Sequence, residues 1–323
     1  MDVSRRLLMS GSLALTVVPG RVSGQNGYPR RPITIVAAFP AGSVTDGMAR
    51  AVAESLARAL HGNVLVENKP GQEGGIAGRS AARADPDGYT ILIGGNSTHS
   101  AAASLYKSLP YNPLTDFVSL GGVSKIPLIL VVRRDCPAED LAGFISRAKA
   151  SNPPLSSGSG ATSTRVAGEL LKRQGGFELV NVPYRGIPTA ISDLLGGRID
   201  CAFSDPATVL GMLEEGSIKA LAVTSLARNA TMPKVQTVAE QGFPDFEIVP
   251  WLALFAPAAT PTSIVERLRS ALAAVQQDDA VRRYILSVGS EVFSVDAGAV
   301  DQYLRADMAR WAHAVEIAGI PRN

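Results

Sequence analysis

Cysteine and histidine are the scarcest chemistry-bearing residues in this chain, two and three respectively among 323. Cys136 and Cys201 lie far apart with no histidine at ligand spacing beside either, so the composition argues against a zinc or catalytic metal site. Net charge is equally scarce. The 31 Lys plus Arg against 29 Asp plus Glu leave a formal +2, and a nucleic-acid surface, which needs a basic face, is not indicated. No apolar run beyond the amino terminus approaches the roughly 20 residues that cross a bilayer. Neither a solenoid period nor a low-complexity tract is present. What the chain does have is 46% hydrophobic and 19% charged residues. That excludes disorder and suffices for one large or two ordinary domains.

The opening residues, MDVSRRLLMSGSLALTVVPGRVSGQ, place Arg5 and Arg6 ahead of an apolar run from Leu7 to Val18, with small residues near Gly24. This order predicts a signal peptide over residues 1–24, cleaved after Gly24. The run is short for a permanent anchor and is diluted by Ser10, Gly11 and Ser12. Ser4-Arg5-Arg6 is similar to a twin-arginine signal, but paired arginines also precede ordinary secretory signals, so the export route stays open. An oxidising compartment permits a disulfide. The sequence nevertheless predicts two free thiols, Cys201 being a small hydrophobe within IDCAF and Cys136 opening a helix entry.

From Arg31 onward short apolar runs alternate with amphipathic stretches: PITIVAAF, residues 46–60, NVLVEN, GGIAGRSAARA and YTILIGG. The pattern predicts strand, helix, strand, helix, strand, and hence a parallel sheet with helices on both faces. A second alternation runs from LILVVRR through LSSGSG, TRVAGELLKRQ, LVNVPY, TAISDLLGG and IDCAFSD to IKALAVTS. Two α/β units result, over residues 27–123 and 124–250. WLALFAPA around Trp251 and helical stretches at 261–276 and 300–318 have no sheet of their own and are expected to pack back on the first unit, making it 27–123 plus 251–323. The chain then crosses between units twice, near 117–132 and 246–255. Two connections make a hinge, and the cleft between two such units is a common place for a small ligand.

Candidate chemistry gathers in the turns. After the first strand, Phe39-Pro40-Ala41-Gly42-Ser43-Val44-Thr45-Asp46 sets Gly42 where backbone can approach closely and Thr45 or Asp46 where a helix can be capped. It reads equally as an anion-binding turn and as an ordinary capped helix start. Residues 156–164 repeat the theme, with Ser159, Gly160, Ala161, Thr162 and Ser163 between a short strand and a helix. A flexible linker would not interrupt a strand-helix unit, so ligand contact is favoured there. Opposed helix amino ends from two domains can hold a carboxylate with backbone donors and hydroxyls, without an arginine clamp. Asn96 and Ser97, in the polar turn after YTILIGG, are candidates on the same side. Asp205 reads as a ligand partner or as the cap of the helix after Pro206, and Tyr184 ends the neighbouring strand beside Arg185, which reads equally as a solvated cation.

Three other chemistries fit poorly. The glycine-rich VENKPGQEGGIAG lacks both the Gly-Lys-Ser/Thr ending of a phosphate loop and the dinucleotide spacing after a strand, so no cofactor is expected. Gly158-Ser159-Gly160 lacks a full nucleophile elbow, because Ser157 stands two residues before Ser159. Of the histidines only His99 is near a cleft loop. His61 reads as a helix C-cap and His313 as structural, which leaves a secreted serine hydrolase a weak alternative.

Several collinear segments resemble one family: YPRRPITIVAAFPAGSVTDGMAR, VLVENKPGQEGGIAG, ADPDGYTILIG, LPYNPLTDF, VPYRGIPTAISDLLGGRID, the stretch from KALAVTS to TVAEQGFPDFE, and WLALFAPAATP. Together they are similar to the Bug family, extracytoplasmic solute receptors of tripartite tricarboxylate transporters. The resemblance covers nearly the whole mature chain. It implies a two-domain Venus-flytrap α/β fold that binds a small carboxylate in the periplasm, often through ordered waters, with no catalysis. It also implies delivery to the membrane permease subunits of a transporter, with presentation to a sensor protein as the alternative; a monomer is the default for a receptor that must open and close. The cargo is a dicarboxylate, an amino acid or an aromatic acid. Family contact positions map onto Phe39, Ala41, Gly42, Ser43 and Asp46, onto the 157–164 loop, and onto Asp205. Family members commonly carry two glycines where this chain has Gly42-Ser43, and Gly-x-Gly-Ser/Thr before His-Leu-Ala-Gly-Glu where it has Ser159-Gly160-Ala161-Thr162 before Arg165-Val166-Ala167-Gly168-Glu169. Ser43 adds a hydroxyl donor and Ala161 narrows the second loop, and both changes bear on how a carboxylate and its waters fit.

Overall fold

A computed structural model describes residues 27–322. The expected signal peptide and its cleavage site lie outside the described residues.

The first unit begins with β1 (Ile33–Ala37), α1 (Val44–Leu60), β2 (Val64–Asn68), α2 (Gly75–Ala82) and β3 (Thr90–Gly95). A π-helical turn, Asn96–Ser100, leads into the short α3 (Ala102–Leu105), and then comes β4 (Phe117–Lys125). Helix α1 forms because Met48, Val52, Leu56 and Leu60 recur every four residues and make one apolar stripe, which is fully buried. Burying each such side chain contributes about 1.5–3 kcal/mol. Ser43 caps the helix, its Oγ accepting from the Asp46 amide, and His61 ends it in the left-handed conformation (φ 53°), as the sequence suggested.

The second unit comprises β5 (Ile129–Arg133), α4 (Leu141–Ala150), β6 (Leu155–Ser159), α5 (Thr162–Gly175), β7 (Leu179–Pro183), α6 (Ile187–Leu195), β8 (Cys201–Ser204), α7 (Pro206–Glu214) and β9 (Ile218–Val223). The chain then returns through β10 (Trp251–Pro257), α8 (Thr262–Gln276), α9 (Asp279–Ser287), β11 (Glu291–Val292) and α10 (Ala297–Ala318).

Two sheets result, ordered β11-β4-β10-β3-β1-β2 and β7-β6-β8-β5-β9. The alternation of strands and helices predicts parallel sheets, and this holds only for β2-β1-β3 and β7-β6-β8. β10 runs antiparallel to β3 and β4, β11 antiparallel to β4, and β5 antiparallel to β8 and β9. The cause is topological: β4 carries the chain toward the second lobe and β10 brings it back, so the two lie side by side in opposite directions.

The first crossing falls at residues 126–128 and the second after Ile248, because Val238, Phe246 and Ile248 are still buried in the second lobe's core. Thr224, with no exposed surface, ties them together: its Oγ1 accepts from the Leu128 amide at 2.9 Å and donates to the Ile248 carbonyl at 2.6 Å. The Ile126 amide donates to the Pro250 carbonyl at 2.7 Å. The last helix packs against both lobes. Val300 and Leu304 join Trp251 and Phe293 in the first lobe, whereas Trp311, Ala314 and Val315 join Val166, Leu170 and Phe203 of the second. Cys136 and Cys201 are buried free thiols in that second cluster, and burial pushes the Cys201 thiol up to about 12.

Candidate functional site: a cavity between four helix amino ends

A cavity of about 370 Å³ lies where the lobes meet. The helices that bound it share one feature, an amino end at its wall: α1 through Ser43 and Val44, α5 through Ala161 and Ser163, α6 through Gly186 to Pro188, and α7 through Asp205 and Thr208. Each amino end carries first-turn amides with no intrahelical acceptor and about half a positive charge from the helix dipole. The field inside is therefore favourable to an anion, although no Lys, Arg or His is among the lining residues.

The first loop is held rigidly. Gly42 adopts φ +82°, a conformation that favours glycine. Its amide donates to Asp46 Oδ2 at 3.0 Å, Asn68 Nδ2 donates to Asp46 Oδ1 at 3.0 Å and to the Phe39 carbonyl at 2.9 Å, and the Arg50 guanidinium contacts both Asp46 oxygens. Burial pushes the Asp46 carboxyl up, but Arg50, Gly42 and Asn68 outweigh it and hold it below its ordinary value. Asp46 thus braces the loop from behind, and Phe39, Ala41, Gly42 and Ser43 line the cavity.

The second loop divides similarly. Gly160, Ala161 and Ser163 line the cavity. Gly160 permits this because a Cβ there would collide with the backbone of Gly186 and Ile187 at the start of α6. Ser159 and Tyr184 instead face a neighbouring outer chamber of about 670 Å³, which shares Phe39, Pro40, Gly160 and Ala161 with the inner one and has Arg165 and Arg185 on its wall. Tyr184 donates to Asp193 Oδ2 at 2.9 Å. Thr162 turns toward the opposite lobe, donating from Oγ1 to Glu73 Oε2 at 2.6 Å.

Asn96 and Ser97 line the inner cavity from the π-helical turn. That turn is anchored by Ser100 Oγ donating to Asp307 Oδ2 at 2.6 Å and Tyr111 OH donating to the Thr98 carbonyl at 2.8 Å. Asn96 is 5% exposed, and its side-chain amide nitrogen has no partner among the described residues. His99 does not line the cavity. It is stacked on Phe255 at 3.9 Å between ring centroids, has no exposed surface, and burial lowers its pKa to about 3. Asp205 lines the cavity and also caps α7, Oδ1 accepting from the Thr208 amide and hydroxyl, both at 3.0 Å. Both alternatives read from its sequence position therefore coexist, and burial pushes its carboxyl up.

Sequence reasoning missed the apolar wall. Ile126, Leu128, Pro250 and Leu252, from the crossings and the start of β10, and Ile93, Ile187 and Pro188 supply most of it. In sequence these residues look like ordinary core, and only Ile126, Leu128, Pro250 and Leu252 are marked, by their position at the crossings.

Comparison with known proteins is consistent with this geometry. Residues 48–320 match the model of a family described as "Tripartite tricarboxylate transporter family receptor". A UPF0065 protein of Agrobacterium vitis is 35% identical over 312 residues, covering 95% of this chain and 90% of that protein. Among solved structures, R. palustris Rpa4515 with adipate superposes with a TM-score of 0.87 at 30% identity, covering 92% of this chain and 100% of the other. The periplasmic binding protein BugD superposes with a TM-score of 0.85 at 33% identity over the same shares.

Proposed function

Because the chain belongs to the tripartite tricarboxylate transporter receptor family, we propose that it is a periplasmic receptor that closes on a small carboxylate and delivers it to the membrane subunits of such a transporter. The observation that carries this reading is the convergence of four helix amino ends, from both lobes, on one cavity without a cationic side chain. That arrangement suits one carboxylate held by amides and hydroxyls. The structural neighbour named with adipate supports a carboxylate as the class of cargo. Phe39, Ala41, Gly42, Ser43, Asn96, Ser97, Gly160, Ala161, Ser163 and Asp205 form the contact set, with Asp46, Thr162, Ser159 and Tyr184 supporting it from outside the inner cavity.

The lobes and their paired crossings form a hinged clamp, so cargo binding is coupled to closure. The protein acts as a monomer, and it catalyses nothing. The cavity offers no histidine base to a serine nucleophile among the described residues, since His99 is sealed in the core. A thermal-shift screen of protein stripped of captured ligand by denaturation and refolding tests the reading. A carboxylate that raises the melting temperature and is recovered unchanged supports it. No shift with any carboxylate, or consumption of the ligand, overturns it.

A further inference from the structure

Resting on the receptor reading, we infer that the cargo is a monocarboxylate with an apolar body, and that Asp205 is the residue that excludes a second carboxylate. Of the four helix amino ends at the cavity, α5 and α6 have no side-chain cap on their first-turn amides, and α1 is capped by the neutral Ser43 hydroxyl, with the Asp46 of its first turn already paired to Arg50. The fourth, α7, is already occupied by an anion belonging to the protein. Asp205 Oδ1 accepts from the Thr208 amide and hydroxyl, and Oδ2 lies 3.1 Å from that hydroxyl. The protein's own carboxylate thus fills the anion position that a second carboxylate of the cargo would need. It is also the only acidic or basic side chain lining the inner cavity among the described residues, and the charge it can carry is negative.

The rest of the wall agrees. Ile93, Ile126, Leu128, Ile187 and Leu252 surround the space with hydrocarbon, which favours an aliphatic or aromatic body and leaves a second charge without a counter-ion. The unpartnered, buried Asn96 side-chain amide supplies a neutral donor for an oxygen of the bound carboxylate or its water. Arg165 and Arg185, the cations closest in kind to a carboxylate clamp, stand in the outer chamber and not in this one.

The test uses pairs closely matched in shape that differ in the second charge: 6-methylheptanoate against adipate, and 4-isopropylbenzoate against terephthalate. Calorimetric titration of the stripped protein is expected to show at least tenfold tighter binding for the monocarboxylate of at least one pair, with its dicarboxylate partner never the tighter. Asp205→Asn and Asp205→Ser, which keep a good helix cap while removing the charge, should shrink that ratio by improving dicarboxylate binding. Tighter binding of the dicarboxylates to the unaltered protein overturns the inference and leaves the receptor reading standing. An unchanged ratio in both variants removes Asp205 as the discriminator. Failure of every carboxylate to bind overturns both.

Discussion

Replacing Glu73 should loosen the closed receptor without touching the cavity that holds the cargo. Glu73 belongs to the first lobe and Thr162 to the second, and their hydrogen bond at 2.6 Å bridges the mouth of the cleft. Arg165 Nη1 stands 3.7 Å from the other Glu73 oxygen, an ion pair too long and too solvated to add much. A hydrogen bond to a charged group contributes about 1.5–3 kcal/mol net. Since it forms only when the lobes meet, its loss comes directly off the closing equilibrium, and apparent affinity scales with the closed fraction. Taking about 1.5 kcal/mol, the cargo should bind roughly tenfold more weakly. Backbone geometry supplies a control. Gln72 and Glu73 adopt φ 48° and 49°, where side chains are strained. Glu73→Gly should therefore hold or raise the melting temperature of the unliganded protein while lowering affinity. Calorimetry on Glu73→Gly, Thr162→Val and the double variant should find each single change costing about tenfold and the double no worse than either. Unchanged affinity in both singles, or full additivity in the double, would refute the reasoning.

Three further outcomes follow from the geometry. Asp307 Oδ2 accepts from Trp251 Nε1 at 2.7 Å and from Ser100 Oγ at 2.6 Å, so Asp307→Ala strands two buried donors and should cost about 3 kcal/mol in urea unfolding, against a small loss if the network were dispensable. His99 titrates near 6.5 when unfolded and at about 3 when folded. Above pH 6.5 it is neutral in both states; below it the unfolded chain takes up a proton that the folded protein refuses, so stability falls with pH until about 3. The loss at pH 5 is about 2 kcal/mol, and His99→Gln should flatten that part of the curve; an equal slope in the variant would contradict the assignment. Arg185, exposed on the outer chamber, should speed anion entry, so Arg185→Gln should lower the association rate and its salt dependence in stopped-flow experiments while leaving dissociation unchanged.

The architecture was legible because its causes are local. Met48, Val52, Leu56 and Leu60 announce α1 by spacing alone, and the glycine and hydroxyl turns at 39–46 and 156–164 announce the loops that end at the cavity. The antiparallel strands were not legible. β4, β5, β9 and β10 are apolar runs like any other, and their direction follows from where the chain crosses between lobes. Helix α9 was overlooked because only Val281 and Ile285 mark its buried face. In the candidate site, loop membership was readable but side-chain direction was not. Asp46 and Thr162 sit in the expected loops, yet Asp46 is consumed by Gly42, Asn68 and Arg50, and Thr162 by Glu73. Glu73 itself lay in a glycine-rich stretch that showed only the phosphate and dinucleotide patterns it lacks.

The most direct measurement compares a bound carboxylate with its primary carboxamide, recording affinity by calorimetry and lobe closure by small-angle scattering on the same samples. Helix amino ends facing one anion predict that the acid binds and leaves the protein compact and the acid intact, while the neutral amide binds at least tenfold more weakly and leaves the lobes apart. Equal binding of acid and amide, or conversion of either, would contradict a receptor built around a carboxylate.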